Sequence, residues 1–151
     1  MKAAINLRCD NTTAIPIYEI WEAVGAFEET PSMLSLEYPP HFTFAIYEVF
    51  DLKMLSTTLG KISKNCQPIT VKFSEISLFD VEQLVLWLKA EDEAPLRNIH
   101  EQIHNMIDPS TCIDYYTPQI WQPHCTIGMN FGNKMREAAL EFASRPFEPI
   151  E

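Results

Sequence analysis

The sequence predicts a protein of the α+β class, and three observations lead to this prediction. Segments with helical spacing of apolar residues alternate with short segments that have the composition of strands. The apolar share of 46% and the charged share of 21% are typical of a folded globular chain. One four-residue phrase occurs in each half of the chain. We therefore expect residues 1–151 to form a single domain with two similar lobes.

Four elements are predicted in the N-terminal half, in the order strand, helix, strand, helix. Their ranges are residues 3–9, 15–27, 41–50 and 51–66. The first helix carries apolar residues at helical spacing, among them Ile17, Trp21 and Val24. The second strand is rich in aromatic and β-branched residues. Asp51 is the expected N-cap of the second helix, because its carboxylate can accept from a free amide of the first turn.

Five further elements are predicted in the C-terminal half, namely two strands joined by a turn around Asp80, then a helix, a strand and a helix. Their ranges are residues 68–79, 82–90, 92–108, 121–131 and 133–145. The helix over 92–108 places Leu96, Ile99 and Ile103 on one face. No change in composition marks a linker between the halves, which favours one domain.

Charge and composition exclude several classes of function. The chain has 11 Lys plus Arg against 21 Asp plus Glu, and a formal net charge of −10. Broad coating of nucleic acid needs a basic surface, so this balance favours a small nucleotide or a short RNA as substrate. The first ten residues have no apolar signal-peptide core, and no apolar run is long enough to span a membrane. The four widely spaced cysteines are expected to be reduced, and we expect a cytoplasmic monomer.

The phrase Pro-His-x-Thr occurs twice, at residues 40–43 and at residues 123–126. Alternate residues of a strand point to the same face, so each histidine shares a face with its threonine. The intervening residue, Phe42 or Cys125, is expected to face the core. If the two strands lie near one another across a cleft, two imidazoles and two hydroxyls converge. The predicted site residues are His41, Thr43, His124 and Thr126.

These four side chains suit phosphodiester chemistry without a metal or another cofactor. A neutral imidazole can take a proton from an attacking hydroxyl or water, and a protonated one can donate to the leaving oxygen. A histidine with an ordinary pKa near ~6.5 can hold either state around neutral pH. The threonine hydroxyls can donate to the non-bridging phosphate oxygens, where negative charge builds in the transition state.

Two aromatic residues near the motifs have open interpretations. Tyr47 continues the alternation of His41 and Thr43, so it either stacks on a substrate base or is a packed strand residue. Trp121 precedes the second motif, and it either flanks the substrate or fills the core.

A competing motif lies in the helix predicted over 92–108. His100, Glu101 and His104 match H-E-x-x-H, in which two histidines bind zinc and the glutamate is the general base of a peptidase. At about 100° per residue, both histidines fall beside the apolar face of the helix, where packing is the simpler interpretation.

The stretches "PPHFTFAIY" and "WQPHCTIGM" resemble the two signatures of the 2H phosphoesterases, the superfamily of the 2′-5′ RNA ligases and cyclic nucleotide phosphodiesterases. "VLWLKAEDEAPLRNIHEQIHNMI" is similar to the strand and helix that precede the second signature in that family. The resemblance implies a bilobal, pseudo-two-fold α+β fold, with antiparallel sheets around a central cleft and helices outside. It also implies hydrolysis or ligation of 2′-5′ linked or 2′,3′-cyclic ribonucleotide phosphates, with His41 as the acid and His124 as the base during hydrolysis.

The chain departs from the family pattern after its last predicted helix. Family members usually continue with further strands, whereas this chain stops at "RPFEPIE". We expect either a trimmed second lobe or a chain shorter than its parent protein. The alternative functions are a non-catalytic nucleotide-binding module of the same fold and a zinc peptidase that uses the H-E-x-x-H residues.

Overall fold

The structure is a computed structural model that describes residues 2–151. Within these residues, five strands and four α-helices follow one another in the predicted order, which confirms the α+β class. They are β1 (Ala3–Arg8), α1 (Ile15–Gly25), β2 (His41–Tyr47), α2 (Leu52–Asn65), β3 (Phe73–Asp80), β4 (Leu84–Ala90), α3 (Ala94–Met106), β5 (Cys125–Gly128) and α4 (Arg136–Ser144). Among residues 2–151, every helix is too short or too polar to span a lipid bilayer.

Two compact units make up the chain, and each contains segments from both halves of the sequence. Unit 1 consists of residues 2–7, 43–70 and 92–123. Unit 2 consists of residues 8–42, 71–91 and 124–151. The boundary falls within β2, so His41 belongs to unit 2 and Thr43 to unit 1.

Unit 1 contains most of the two-stranded sheet β1–β2 together with helices α2 and α3, which contact one another. The side chain of Asp51 accepts a hydrogen bond from the Met54 amide at 3.0 Å, so the predicted N-cap of α2 is confirmed. Helix α3 buries Leu96 and Ile103, as its apolar periodicity predicts.

Unit 2 is built on the antiparallel sheet β3–β4–β5. Helix α1 packs on β5, and helix α4 contacts β3. The central strand, β4, is mostly buried, and it pairs with a neighbouring strand on each side. At the edge strand β3, the amide and carbonyl of Phe73 exchange hydrogen bonds with those of Ile150, at 2.8 and 3.1 Å.

Two strands begin four or five residues later than the sequence predicts. The strand predicted from residue 68 begins at Phe73, and the one predicted from residue 121 begins at Cys125. Each predicted range contains a proline near its start, Pro68 or Pro123. Proline has no amide proton to donate to a strand ladder, so regular pairing starts only beyond it.

We expect Gly128→Ala to destabilise the protein by about 1–3 kcal/mol, because the new methyl group would overpack the interface between α1 and β5. A Cβ at Gly128 would lie 2.5 Å from Val24 Cγ1 and 2.9 Å from Phe131 Cζ. Gly60→Ala is the matched control, since a Cβ there meets no atom within 4 Å. It lies inside helix α2, where alanine is favoured over glycine by about 0.8–1.0 kcal/mol.

Urea unfolding of both variants and the parent would measure these free energies. A Gly128→Ala variant as stable as the parent would contradict the close packing of α1 on β5. A Gly60→Ala variant that loses stability would show that substitution of glycine, rather than the contact with Val24, causes the loss.

Candidate active site

The first Pro-His-x-Thr phrase leads directly into strand β2. His41 and Thr43 are half-buried, whereas Phe42 and Phe44 are buried. Within unit 2, the ring of Phe42 stacks on that of Phe73 with centroids 5.9 Å apart. The alternation predicted for this strand is therefore confirmed, since the polar pair is partly accessible and the apolar residues are packed.

The imidazole of His41 has a fixed orientation. Its Nδ1–H donates to the carbonyl of Pro39 at 2.8 Å, and its ring meets the ring of Tyr38 edge to face at 5.0 Å. Because Nδ1 is engaged by a main-chain acceptor, Nε2 is the nitrogen that can accept or release a proton during a reaction.

The second phrase has the same alternation at the start of β5. His124 and Thr126 are half-buried, and Cys125 and Ile127 are buried. Thr126 lies opposite Trp87 in the β4–β5 register. Burial raises the pKa of the Cys125 thiol to about 12, so it stays protonated at neutral pH, and the prediction of a core-facing cysteine is confirmed.

An aromatic wall from the neighbouring strands orients His124. Its ring meets Phe79 of β3 edge to face at 5.2 Å and lies 6.1 Å from the ring of Trp87 on β4. Phe79 and Trp87 stack on one another at 4.9 Å. Edge-to-face contacts of this kind restrict the tilt of the imidazole.

A buried tryptophan holds the main chain at each motif threonine. Within unit 1, the indole N–H of Trp121 donates to the carbonyl of Thr43 at 3.0 Å. Within unit 2, the indole N–H of Trp21 donates to the carbonyl of Thr126 at 3.3 Å. Sequence reasoning assigned Trp21 only to an apolar helix face, because nothing in its local pattern indicates a partner 105 residues away.

Burial contradicts the two weak predictions of substrate binding. Tyr47 exposes 1% of its surface and Trp121 exposes 3%. Trp121 stacks in parallel on His100, with ring centroids 4.0 Å apart, and also contacts Phe44. A side chain so enclosed has no free face for a base, so the structure supports the packing interpretation of both residues.

The H-E-x-x-H residues do not form a metal site. His100 and His104 are buried with their rings 4.4 Å apart, while Glu101 is exposed. The Nε2–H of His100 donates to the carbonyl of Tyr116 at 2.9 Å. Within residues 2–151, no group of three or more His, Cys, Asp or Glu side chains is placed to hold a metal ion. The zinc-peptidase alternative therefore gains no support.

The buried histidine pair has an unusual acid–base behaviour. The pKa of His100 is lowered to about 4, chiefly by burial. The hydrogen bond to the Tyr116 carbonyl raises this pKa, and the nearby His104 and Arg97 lower it. Burial also lowers the pKa of His104. Both imidazoles are therefore neutral at pH 7.

The comparisons with known proteins agree with the motifs. The sequence model of the 2′-5′ RNA ligase superfamily matches residues 16–151. The chain belongs to the 2′-5′ RNA ligase superfamily. The resemblance that its two H-x-T signatures predict is thereby confirmed.

Two curated relatives of this superfamily member come from Geobacillus. The chain is 30% identical over 94 residues to a Geobacillus thermodenitrificans NG80-2 protein described as an inferred phosphoesterase. It is 29% identical over 94 residues to a Geobacillus kaustophilus HTA426 protein of the same description. Each alignment covers 60% of this chain and 51% of the relative. The chain thus spans about half the length of the curated relatives it matches.

A solved structure shares the fold of this superfamily member. The structure of Kluyveromyces marxianus Usb1 with uridine monophosphate is similar to the chain with a TM-score of 0.50 and 11% sequence identity. The similarity covers 93% of this chain and 76% of Usb1. At this identity the likeness concerns the fold alone, and it agrees with the α+β fold expected of the superfamily.

We expect the free energy of unfolding to decrease as the pH falls from about 6.5 to about 4. An unfolded histidine binds a proton near pH 6.5, whereas folded His100 does so only near pH 4. Between these values the unfolded state binds more protons, so acid favours unfolding, by roughly 3 kcal/mol at the low end. Below about pH 4, protonation of His100 causes no further decrease in the free energy of unfolding.

Urea unfolding at pH 7, 5.5 and 4.5 would measure this dependence in the parent and in His100→Gln. Glutamine can still donate to the Tyr116 carbonyl, but it does not titrate. The variant should show a shallower pH dependence than the parent. Equal dependences would show that His100 does not cause the acid sensitivity.

Proposed function

We propose that this chain is a metal-independent phosphoesterase that acts on 2′-5′ linked or 2′,3′-cyclic ribonucleotide phosphates. The observation that carries the proposal is the repeated pairing of a half-buried histidine and a half-buried threonine over a buried residue. Membership of the 2′-5′ RNA ligase superfamily supports it. The description of the Geobacillus relatives as phosphoesterases supports it as well. The net charge of −10 favours a small nucleotide or short RNA over a long polyanion.

His41 and His124 would act as the acid–base pair. In hydrolysis of a 2′,3′-cyclic phosphate, one neutral imidazole takes a proton from water as the water oxygen attacks phosphorus. The other imidazole, protonated at the start, gives its proton to the ribose oxygen as the bond from phosphorus to that oxygen breaks. We assign the acid to His41 and the base to His124, and proton exchange with solvent restores both. The Pro39 carbonyl accepts from His41 Nδ1–H in either protonation state, so the ring need not turn when Nε2 loses its proton.

Thr43 and Thr126 would bind the phosphate. Their hydroxyl groups can donate to the non-bridging oxygens, whose negative charge increases in the transition state. The indole hydrogen bonds to the two threonine carbonyls hold the backbone from which these hydroxyls project. Such preorganisation avoids a reorganisation cost when the phosphate changes geometry.

Turnover of a 2′,3′-cyclic nucleotide and of a short 2′-5′ linked oligonucleotide, both with EDTA present, would test the proposal. We expect the parent to hydrolyse at least one of them and His41→Ala or His124→Ala to lose roughly 10²-fold or more in kcat. Glu101→Ala is the control for an exposed residue outside the motifs, and it should keep the activity of the parent.

Three other outcomes would each contradict the proposal. Retained turnover in both alanine variants would show that the motif histidines are not the acid–base pair. Binding of the nucleotide without turnover would favour the non-catalytic module. An activity that EDTA abolishes and zinc restores would contradict metal independence.

The two indole hydrogen bonds predict that Trp121 affects catalysis through Thr43 and that Trp21 affects catalysis through Thr126. Benzothienylalanine keeps the shape of tryptophan but lacks the N–H group, so at Trp121 or at Trp21 it should lower kcat/KM roughly threefold to tenfold. The effect at Trp121 should disappear in a Thr43→Val background and persist with Thr126→Val. The effect at Trp21 should show the reverse pattern.

Values of kcat/KM per folded enzyme would separate an effect on the position of the threonines from a loss of folded protein. Additive effects in all four combinations would contradict a role of the tryptophans through their threonines. The same analogue at Trp87 controls for its incorporation, since the Trp87 N–H has no hydrogen-bond partner in the described chain, residues 2–151. The Trp87 variant should melt at or above the temperature of the parent, because the analogue removes an unpaired buried donor.

A further inference from the structure

Unit 2 contains an open pocket of about 210 Å³ that no sequence motif indicates. Its walls come from the end of β1, from helix α1 and from the segment that leads into the first motif. The volume lies below the roughly 300–1,000 Å³ of pockets for drug-sized ligands. It therefore suits one small moiety rather than several nucleotides.

The pocket walls touch both motifs through residues of unit 2. Tyr38 lines the pocket and meets the His41 ring edge to face at 5.0 Å. Pro39 lines it too, and its carbonyl accepts from His41 Nδ1–H at 2.8 Å. Trp21, also in the wall, donates to the Thr126 carbonyl at 3.3 Å. A ligand in this pocket would thus lie beside walls that contact one residue of each motif.

The wall chemistry matches a nucleoside. Tyr18 and Tyr38 supply accessible aromatic surface, on which any base can stack, whereas buried Trp21 forms only part of the wall behind them. Asn11 can both donate and accept hydrogen bonds, and Glu37 can accept them from ribose hydroxyls or base amino groups. Aromatic walls with a few polar groups are the usual composition of a small-molecule site.

The backbone at Glu37 is a second, independent observation. Glu37 has φ 52° and ψ 31°, and it is the single non-glycine residue with positive φ within residues 2–151. A glutamate in this left-handed region is strained, and strained residues of this kind cluster at ligand sites. This turn ends the 3₁₀ helix Leu34–Leu36 and leads the chain into Tyr38 and the first motif.

We propose that this pocket is the nucleoside subsite of the phosphoesterase, an inference that rests on the proposed function. The base stacks on the aromatic wall, and the ribose lies toward Glu37. The attached phosphate is held at the motifs. Arg8 and Glu37 are the two charged side chains among the lining residues, and the Arg8 guanidinium can pair with a phosphate oxygen of the nucleotide.

A pair of leucine variants tests the subsite. Leu34 lines the pocket and is 42% exposed, whereas Leu36 is in the same 3₁₀ helix, is 48% exposed and does not line it. Leu34→Trp should fill the pocket, and Leu36→Trp is the matched control. The substrates are 2′,3′-cyclic uridine monophosphate and the cyclic phosphate of ethylene glycol, which has neither base nor ribose.

Loss of stacking in Leu34→Trp should raise KM for the cyclic nucleotide about tenfold and leave its kcat within about twofold. It should leave kcat/KM for the ethylene glycol compound unchanged, and Leu36→Trp should change neither substrate. An equal rise in KM for both substrates, or no rise, would overturn the subsite while the proposed function stands.

Absence of turnover of both substrates by the parent, and of the 2′-5′ linked oligonucleotide as well, would contradict the proposed function, and calorimetry would then decide the subsite separately. Uridine monophosphate should bind the parent and Leu36→Trp more tightly than inorganic phosphate does, and Leu34→Trp should lose this difference. Equal affinity of the parent for the two ligands would overturn the inference.

Discussion

The indole hydrogen bonds to the carbonyls of Thr43 and Thr126 connect the motifs to the hydrophobic cores beneath them. The tryptophan of the C-terminal half holds the N-terminal motif, and the tryptophan of the N-terminal half holds the C-terminal motif. Both indoles are buried, so neither bond competes with water. The same kind of restraint thus acts on both threonines, although each unit is assembled from both halves of the chain.

The buried histidine pair of unit 1 is linked to one of these restraints. His100 stacks on Trp121, whose N–H reaches Thr43. A charge on His100 would be placed in an apolar surrounding and would disturb the residue that holds the motif backbone. The lowered pKa of His100 keeps the ring neutral over the physiological range. Acid stability and the geometry at Thr43 therefore depend on the same packed rings.

The sequence predicted the features that depend on local periodicity. The order of the elements, the cap at Asp51 and the alternation at His41 and Cys125 all follow from spacing within a few residues. Contacts between distant residues were not predictable in this way. The bond from Trp21 to Thr126 joins residues 105 positions apart, and the pocket beside the first motif collects residues from three segments.

The predictions that Tyr47 and Trp121 bind substrate were wrong for the same reason, because burial of both residues depends on contacts with distant parts of the chain. Alternation along β2 places Tyr47 on a given side of the strand, but it does not reveal what covers that side. In the structure Tyr47 pairs with Cys112 in an isolated bridge and is buried. Trp121 was open to two interpretations because a tryptophan beside a proline has no period of its own. Only the parallel ring of His100, 21 residues earlier, decides between them.

The bridge between Phe73 and Ile150 has a practical consequence for anyone who handles this protein. Strand β3 is at the edge of its sheet, and an uncovered edge is a template for pairing with another chain. Ile150 occupies the hydrogen-bonding groups of Phe73 at that edge. Loss of the segment around Ile150 would uncover these groups and favour aggregation.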